Sequence, residues 1–224
     1  YNIFNQVHKA LRAFMYDSAI VLQRTDFTNA EDAEHSINQL NDLLDLMKDH
    51  AYAEESIIFP ALQKFNRPLV LEILAEHEED HSLARRLSGL LLAFSHGVCA
   101  DDKADIGKAI YSAFIDFLVF NLEHMAREED VLNKSLWENF SDGQIIQLSH
   151  KAMLKIPCNL VDQYSRWMLR GLTNNEIAEW LKDIKNNAPE SVFSTLMILS
   201  ETELSGARWQ QLQEQLIEGA MVHS

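Results

Sequence analysis

The sequence predicts an all-α protein, an antiparallel up-down four-helix bundle followed by a C-terminal helical extension. Three observations lead there. Only 7 glycines and 4 prolines occur in 224 residues, too few for the many tight turns of an all-β chain. Apolar residues recur at spacings of three and four through long stretches with few breakers, the period of a helix with one buried stripe. A hydrophobic fraction of 47% is enough to fill a core between such helices.

The breakers divide the first 140 residues into four long segments. The first predicted helix runs from about Ile3 to Arg24. The chain then turns through residues 25–30, with Thr28 and Glu31 in capping-box spacing. A second helix continues to about Phe65, bent at Pro60, which removes a backbone donor. Asn66 to Pro68 separates it from a third helix, about Leu69 to Ser95, and Gly97 to Asp102 precedes a fourth, about Lys103 to Trp137. Short connections between long helices imply antiparallel neighbours. Residues 1–140 are therefore expected to form the bundle with its site, and residues 141–224 a helical extension packing on it.

Charge and cysteine usage narrow the function. A net charge of −15 repels phosphate backbones and anionic membrane surfaces, so nucleic-acid partners are not expected. No apolar run reaches the roughly 18 residues of a membrane span. Cys99 and Cys158 are too few for a disulfide framework or a cysteine-rich zinc site, which favours a reducing, cytoplasmic setting. The chain opens at Tyr1 without a secretory apolar segment and without an initiator Met.

One thirteen-residue pattern occurs twice, from His50 to Leu62 and from His124 to Leu136, each copy reading His-x-x-x-Glu-Glu. Residues four apart share a helix face, so His50 with Glu54 and His124 with Glu128 each point an imidazole and a carboxylate the same way. These residues interrupt apolar seams: Leu40, Leu43, Met47, His50, Glu54 in the second helix, and Ile110, Phe114, Phe117, Asn121, His124, Glu128 in the fourth. The third helix carries His77 and His81 on its seam, and the first carries His8. Buried carboxylates converging without compensation are costly, and a cation compensates them most simply.

Height along the bundle supports convergence. With the first turn centred near Phe27, His8 lies 19 residues before it and His50 lies 23 after. Glu54 is 13 residues before Arg67 and His81 is 14 after it; His77 is 22 before Cys99 and His124 is 25 after. At about 1.5 Å per residue these offsets agree to within a helical turn. Imidazoles and carboxylates without thiolates suit iron, manganese or zinc, and two carboxylates able to bridge suit a di-iron or di-manganese pair. Five histidines and two glutamates do not saturate two six-coordinate ions, which leaves a position for a small ligand such as dioxygen, peroxide or azide.

These residues resemble the bacterial hemerythrin-like (HHE cation-binding) family. The succession His, His-x-x-x-Glu, third-helix His, His-x-x-x-Glu is matched by His8, His50 with Glu54, His77, and His124 with Glu128. The flanks Val7 to Arg12, Glu54-Glu55 through Phe59 to Leu62, and Glu76-His77-Glu78 are also similar. The resemblance covers about residues 1–140 and implies a non-haem di-iron site. In it His8, His50, His77, His81 and His124 would be terminal ligands and Glu54 and Glu128 bridges. His81 matches a position used by the oxygen carriers. Glu128 comes four residues after His124, where the oxygen carriers have an aspartate five after. That departure points away from reversible oxygen storage and toward relatives associated with oxygen, nitric oxide, peroxide or iron sensing. A di-iron peroxidase or oxidase is the alternative.

A competing motif overlaps the third helix. His77-Glu78-Glu79-Asp80-His81 satisfies H-E-x-x-H, in which two histidines hold zinc and the glutamate activates water. It leaves His8, His50 and His124 unexplained, and no strand pattern is present to hold a peptide. A ferritin-like site would need two Glu-x-x-His units, and only Glu78 with His81 supplies one. Of the other histidines, His35 and His96 read as surface residues, His223 lies in the tail, and His150 reads as exposed or structurally hydrogen bonded, the alternative being that it folds back over the site. Glu55, Glu129 and Asp130, one position off the seams, read as a solvated face.

Residues 141–224 read as helical. Ser141 with Gln144 and Thr173 with Glu176 have capping-box spacing, Pro189 is placed to open a helix, and Trp167, Trp180, Phe193, Leu196 and Trp209 supply apolar anchors. Either this section completes one globule or it is a dimerisation or signalling module, and a homodimer through it is the assembly to test.

Overall fold

The computed structural model describes residues 1–96 and 102–221. The predicted Gly97-to-Asp102 connection up to Asp101, with Cys99, and His223 lie outside the described residues. Among the described residues every regular element is helical: α1 Asn5–Arg24, α2 Ala30–Ala53, α3 Phe59–Leu62, α4 Arg67–Ser95, α5 Lys103–Arg127, α6 Asn133–Asn139, α7 Asp142–Met153, α8 Val161–Gly171, α9 Asn174–Asn187, α10 Glu190–Glu203 and α11 Gly206–Met221. No helix of the described residues is long and apolar enough to cross a membrane.

The chain divides into two compact units, one of Tyr1–Asn5 with Phe14–Ile156, the other of Gln6–Ala13 with Pro157–Ser224. In the first, Gln39 of α2 donates to Asp17 and Ser18 of α1, while Ser36 meets Thr25 at the turn, the pairing of antiparallel neighbours. Between α4 and α5 the bridges Arg86–Asp116, Glu76–His124 and Glu72–Arg127 likewise run in opposite chain directions. Gly107 of α5 lies under the Phe27 ring, so close that any side chain there would overlap it. That approach lets the α1–α2 turn seat on α5.

Capping explains the boundaries, with one difference from the sequence reading. Thr28 does not cap α2. Its N–H and hydroxyl both donate to Asp26 Oδ1, at 2.9 and 2.6 Å, and Asn29 takes over by accepting from the N–H groups of Glu31 and Asp32. Asn66 caps α4 through the Leu69 N–H, with Pro68 in its first turn, where no backbone donor is needed. Ser141 with Gln144 and Thr173 with Glu176 both form complete capping boxes.

The two long helices carrying the repeat do not continue as plain α-helix. After α2 comes a π-helical turn at Glu54–Ile58, closed by the Phe59 N–H donating to the Glu54 carbonyl. After α5 comes its counterpart at Glu128–Leu132, closed by Asn133 on the Glu128 carbonyl. The first copy has Pro60 two residues beyond its π turn and the second has Lys134 at that place. Proline is therefore not what makes the turn. Beneath the π turns, Phe4, Ile58, Phe59, Leu62, Ile73, Leu132, Leu136 and Ile145 form one apolar cluster, and α7 packs against the first π turn.

The second unit has its own core of Leu169, Leu172, Ile177, Trp180, Leu181, Leu196, Leu199 and Leu212. Arg166 and Arg170 grip the nearly buried carboxylate of Glu203, which ties α8 to α10. Arg208 of α11 donates to the carbonyls of Leu169 and Leu172 and so closes the C-terminal end of α8. Lys9, in the Gln6–Ala13 segment of this unit, pairs with Glu176 at 2.5 Å.

Candidate metal centre

Each His-x-x-x-Glu pair straddles the junction of an α-helix and a π turn. His50 belongs to the last turn of α2 and Glu54 opens the first π turn; His124 and Glu128 repeat this at the end of α5. His50 Nε2 lies 3.2 Å from Glu54 Oε1, and His124 Nε2 lies 3.4 Å from Glu128 Oε1. π turns inserted in α-helices occur often at functional sites, because the extra residue re-aims side chains.

His77 of α4 stands between the pairs. Its Nε2 is 3.6 Å from Glu54 Oε2 and 3.6 Å from Glu128 Oε1. Donor atoms of His50, Glu54 and Glu128 lie within 4.8 Å of one another, and so do those of His77, His124 and Glu128. Glu128 belongs to both groups. Glu54 and His77 are each 2% exposed and Glu128 is 0% exposed, so these charges are inside the protein.

Behind the imidazoles stands a second set of carboxylates that the sequence did not reveal. Glu55 Oε1 is 2.8 Å from His77 Nδ1, and Glu76 Oε2 is 2.8 Å from His124 Nδ1. A carboxylate at Nδ1 holds the proton there and leaves Nε2, with its lone pair, facing the opposite way. Glu55 is thus not part of a solvated face; it is half-buried, because the π turn swings it toward α4. Glu129 is half-buried too, while Asp130 is exposed as its position off the seam suggested. Arg127 pairs with Glu76 and with Glu72. One turn along the histidine helices, buried Asp80 accepts from Asn121 Nδ2 at 2.7 Å.

The donor set fits a cation. It is all imidazole nitrogen and carboxylate oxygen, and His77 Nε2 is buried without a hydrogen-bond partner, its other nitrogen already taken by Glu55. Burial disfavours the charged form of His77, yet Glu128, Glu54 and Glu55 outweigh it and push the pKa up to about 9. In the metal-free protein, a proton on His77 partly fills the role of a cation. Asp80 shows the reverse: burial raises its pKa, and Asn121 and the nearby histidines only partly counter that.

The sequence model of the hemerythrin HHE cation-binding domain matches residues 1–136. The chain belongs to this family. That span contains α1 to α5, both π turns and every donor described above. A curated relative of the hemerythrin-family chain, the zinc finger protein BRUTUS of Arabidopsis thaliana, is 22% identical over 160 residues, 71% of this chain. The match spans 12% of BRUTUS. No solved structure matches the chain significantly.

The remaining predicted residues take varied places in this hemerythrin-family fold. His8 is fully buried in α1, within the Gln6–Ala13 segment. His81 is half-buried, with its ring 6.5 Å from that of His77, and is in neither close donor group. Glu78 is exposed, one residue from the 2% exposed His77. The glutamate of the H-E-x-x-H pattern therefore faces away from the buried donors. His35, His96 and His150 are all exposed.

Proposed function

We propose that this protein is a non-haem di-iron protein that binds or reacts with a small ligand, dioxygen, peroxide or nitric oxide, or that senses iron or oxygen. The observation that carries the reading is the arrangement of Glu54 and Glu128, two buried carboxylates within 4.8 Å of each other and each flanked by histidines. In this reading they bridge two iron ions, and His8, His50, His77, His81 and His124 are terminal ligands; manganese or zinc would suit the same donors. His8 enters through the family pattern and its burial. His81 enters through its place on the His77 face of α4. A bound iron pair supplies redox chemistry and an open position for a small ligand.

The chain's own residues contribute three things. Glu54 and Glu128 concentrate negative charge where cations would sit. Glu55 and Glu76 fix the two imidazoles and their protons. The apolar cluster around Ile58, Phe59, Leu132 and Leu136 keeps water from the floor of the site. The exposed Glu78 leaves a peptidase without its base in the cluster.

Iron analysis and optical spectra of the iron-loaded chain, before and after azide, test the reading. The expected result is two iron ions per chain and an azide-dependent absorption band. A single zinc, or no iron after reconstitution, overturns it.

A further inference from the structure

The two imidazoles that share Glu128 are held in different ways. Glu55 bonds His77 and has no other charged partner among the described residues. Glu76 bonds His124 and is also gripped by Arg127, whose other nitrogen reaches Glu72 at 2.8 Å. Glu72, Arg127, Glu76 and His124 thus form a continuous chain from the surface to the buried donors. Arg127 sits one residue before Glu128, so the helix end that delivers the glutamate also delivers the clamp on the neighbouring histidine.

A guanidinium presents donors in a planar fork that can hold two carboxylates at fixed angles, which an ammonium cannot. We propose that Arg127 is a positioning residue, which locks Glu76 onto His124 and so fixes the metal position that His124 shares with His77 and Glu128. This rests on the metal-binding reading above. Without Arg127, the partly exposed Glu76 is free to turn toward water, and His124 loses the acceptor that fixes its ring and aims Nε2 at Glu128.

An internal control exists in the same helix pair. Arg86 and Asp116 also bridge α4 and α5, at 2.7 Å, but are 55% and 48% exposed and touch none of the donors. If Arg127 merely tied two helices together, Arg86 would do the same work. Surface pairs of that kind contribute little.

The test is titration of the full, metal-free chain with Co(II), read by visible absorption and calorimetry, for the parent, Arg127→Ala, Arg127→Lys and Arg86→Ala. The parent is expected to bind two ions in two resolved steps. Arg127→Ala is expected to weaken one step about tenfold, at the low end of what loss of a partner behind a ligand typically costs, and to change the absorption of that one ion. Arg127→Lys should recover part of the loss, and Arg86→Ala should match the parent. Arg127→Ala with unchanged or tighter binding and unchanged spectra overturns the proposal while leaving the metal reading standing. So does an equal loss in Arg86→Ala. No Co(II) uptake by the parent overturns both.

Discussion

Glu54 and Glu128 are 74 positions apart in the sequence, yet they offer carboxylate oxygens within 4.8 Å of each other, and each is the first residue of a π turn. The two halves of the repeat are the same local device used twice. An α-helix carries a histidine in its last turn, and the next turn widens to bring the glutamate beside a histidine of α4 as well as its own. Several consequences are open to measurement.

Replacing Glu54 by Ala removes a buried carboxylate that lies beside both His50 and His77. Iron content is expected to fall below that of the parent in metal analysis. The iron-loaded variant should also unfold at lower urea than the iron-loaded parent, because the binding energy that stabilises the folded chain is reduced. Full iron retention would contradict the assignment of Glu54 as a bridge.

Glu78→Gln is expected to be silent. The side chain is exposed, and surface changes of this type usually stay within about 0.5 kcal/mol. Iron content and azide-sensitive absorbance should match the parent. Loss of either would mean that Glu78, and not Glu54, serves the site.

The metal-free protein should show a pH-dependent stability set by His77. Its pKa is raised from 6.5 to about 9 on folding, so the folded state binds the proton more tightly than the unfolded state. The stabilisation is fully present below about pH 6.5 and is lost as pH rises through about 9. Metal uptake has the opposite trend, since the ion must displace that proton. Urea unfolding from pH 6 to 9.5 and cobalt affinity over the same range should therefore move in opposite directions. A flat stability profile would remove His77 as the proton carrier.

Asn121→Ala takes the amide donor from buried Asp80. An unsatisfied buried acceptor costs about 1–3 kcal/mol, and thermal unfolding of the metal-free variant should show a loss in that range. Asn121 touches Asp80 and the Phe117 carbonyl but none of the close donors, so two ions should still bind. Loss of one ion would place Asn121 in the site itself.

The all-α class and the helix limits near Arg24, Arg67, Ser95 and Lys103 were legible because they rest on short-range physics. Periodicity, Asn66 with Pro68, and the Ser141 and Thr173 capping boxes act within a few residues and leave a direct mark on the sequence. The repeat also carried His50, Glu54, His124 and Glu128, since a histidine and a glutamate four apart on an apolar seam have few other reasons to be there. At the α1–α2 turn the short-range signal was ambiguous: Thr28 and Asn29 could both cap, and Asp26, by engaging Thr28, decided for Asn29.

The π turns, and what they turn toward, were decided by tertiary structure. A π turn trades one regular hydrogen bond for a wider ring, and packing of the glutamates among the histidines and of Ile58 and Leu132 in the core favours that trade. Proline does not encode it, since only the first copy has one just beyond the turn. Glu55 and Glu76 are equally hidden: each is a charged residue on a helix rich in such residues. Only the antiparallel approach of the helices gives one carboxylate a buried imidazole to hold and leaves another, Glu78, in water, because hydrogen bonding to a ring across the bundle depends on height and rotation that no spacing along one helix specifies.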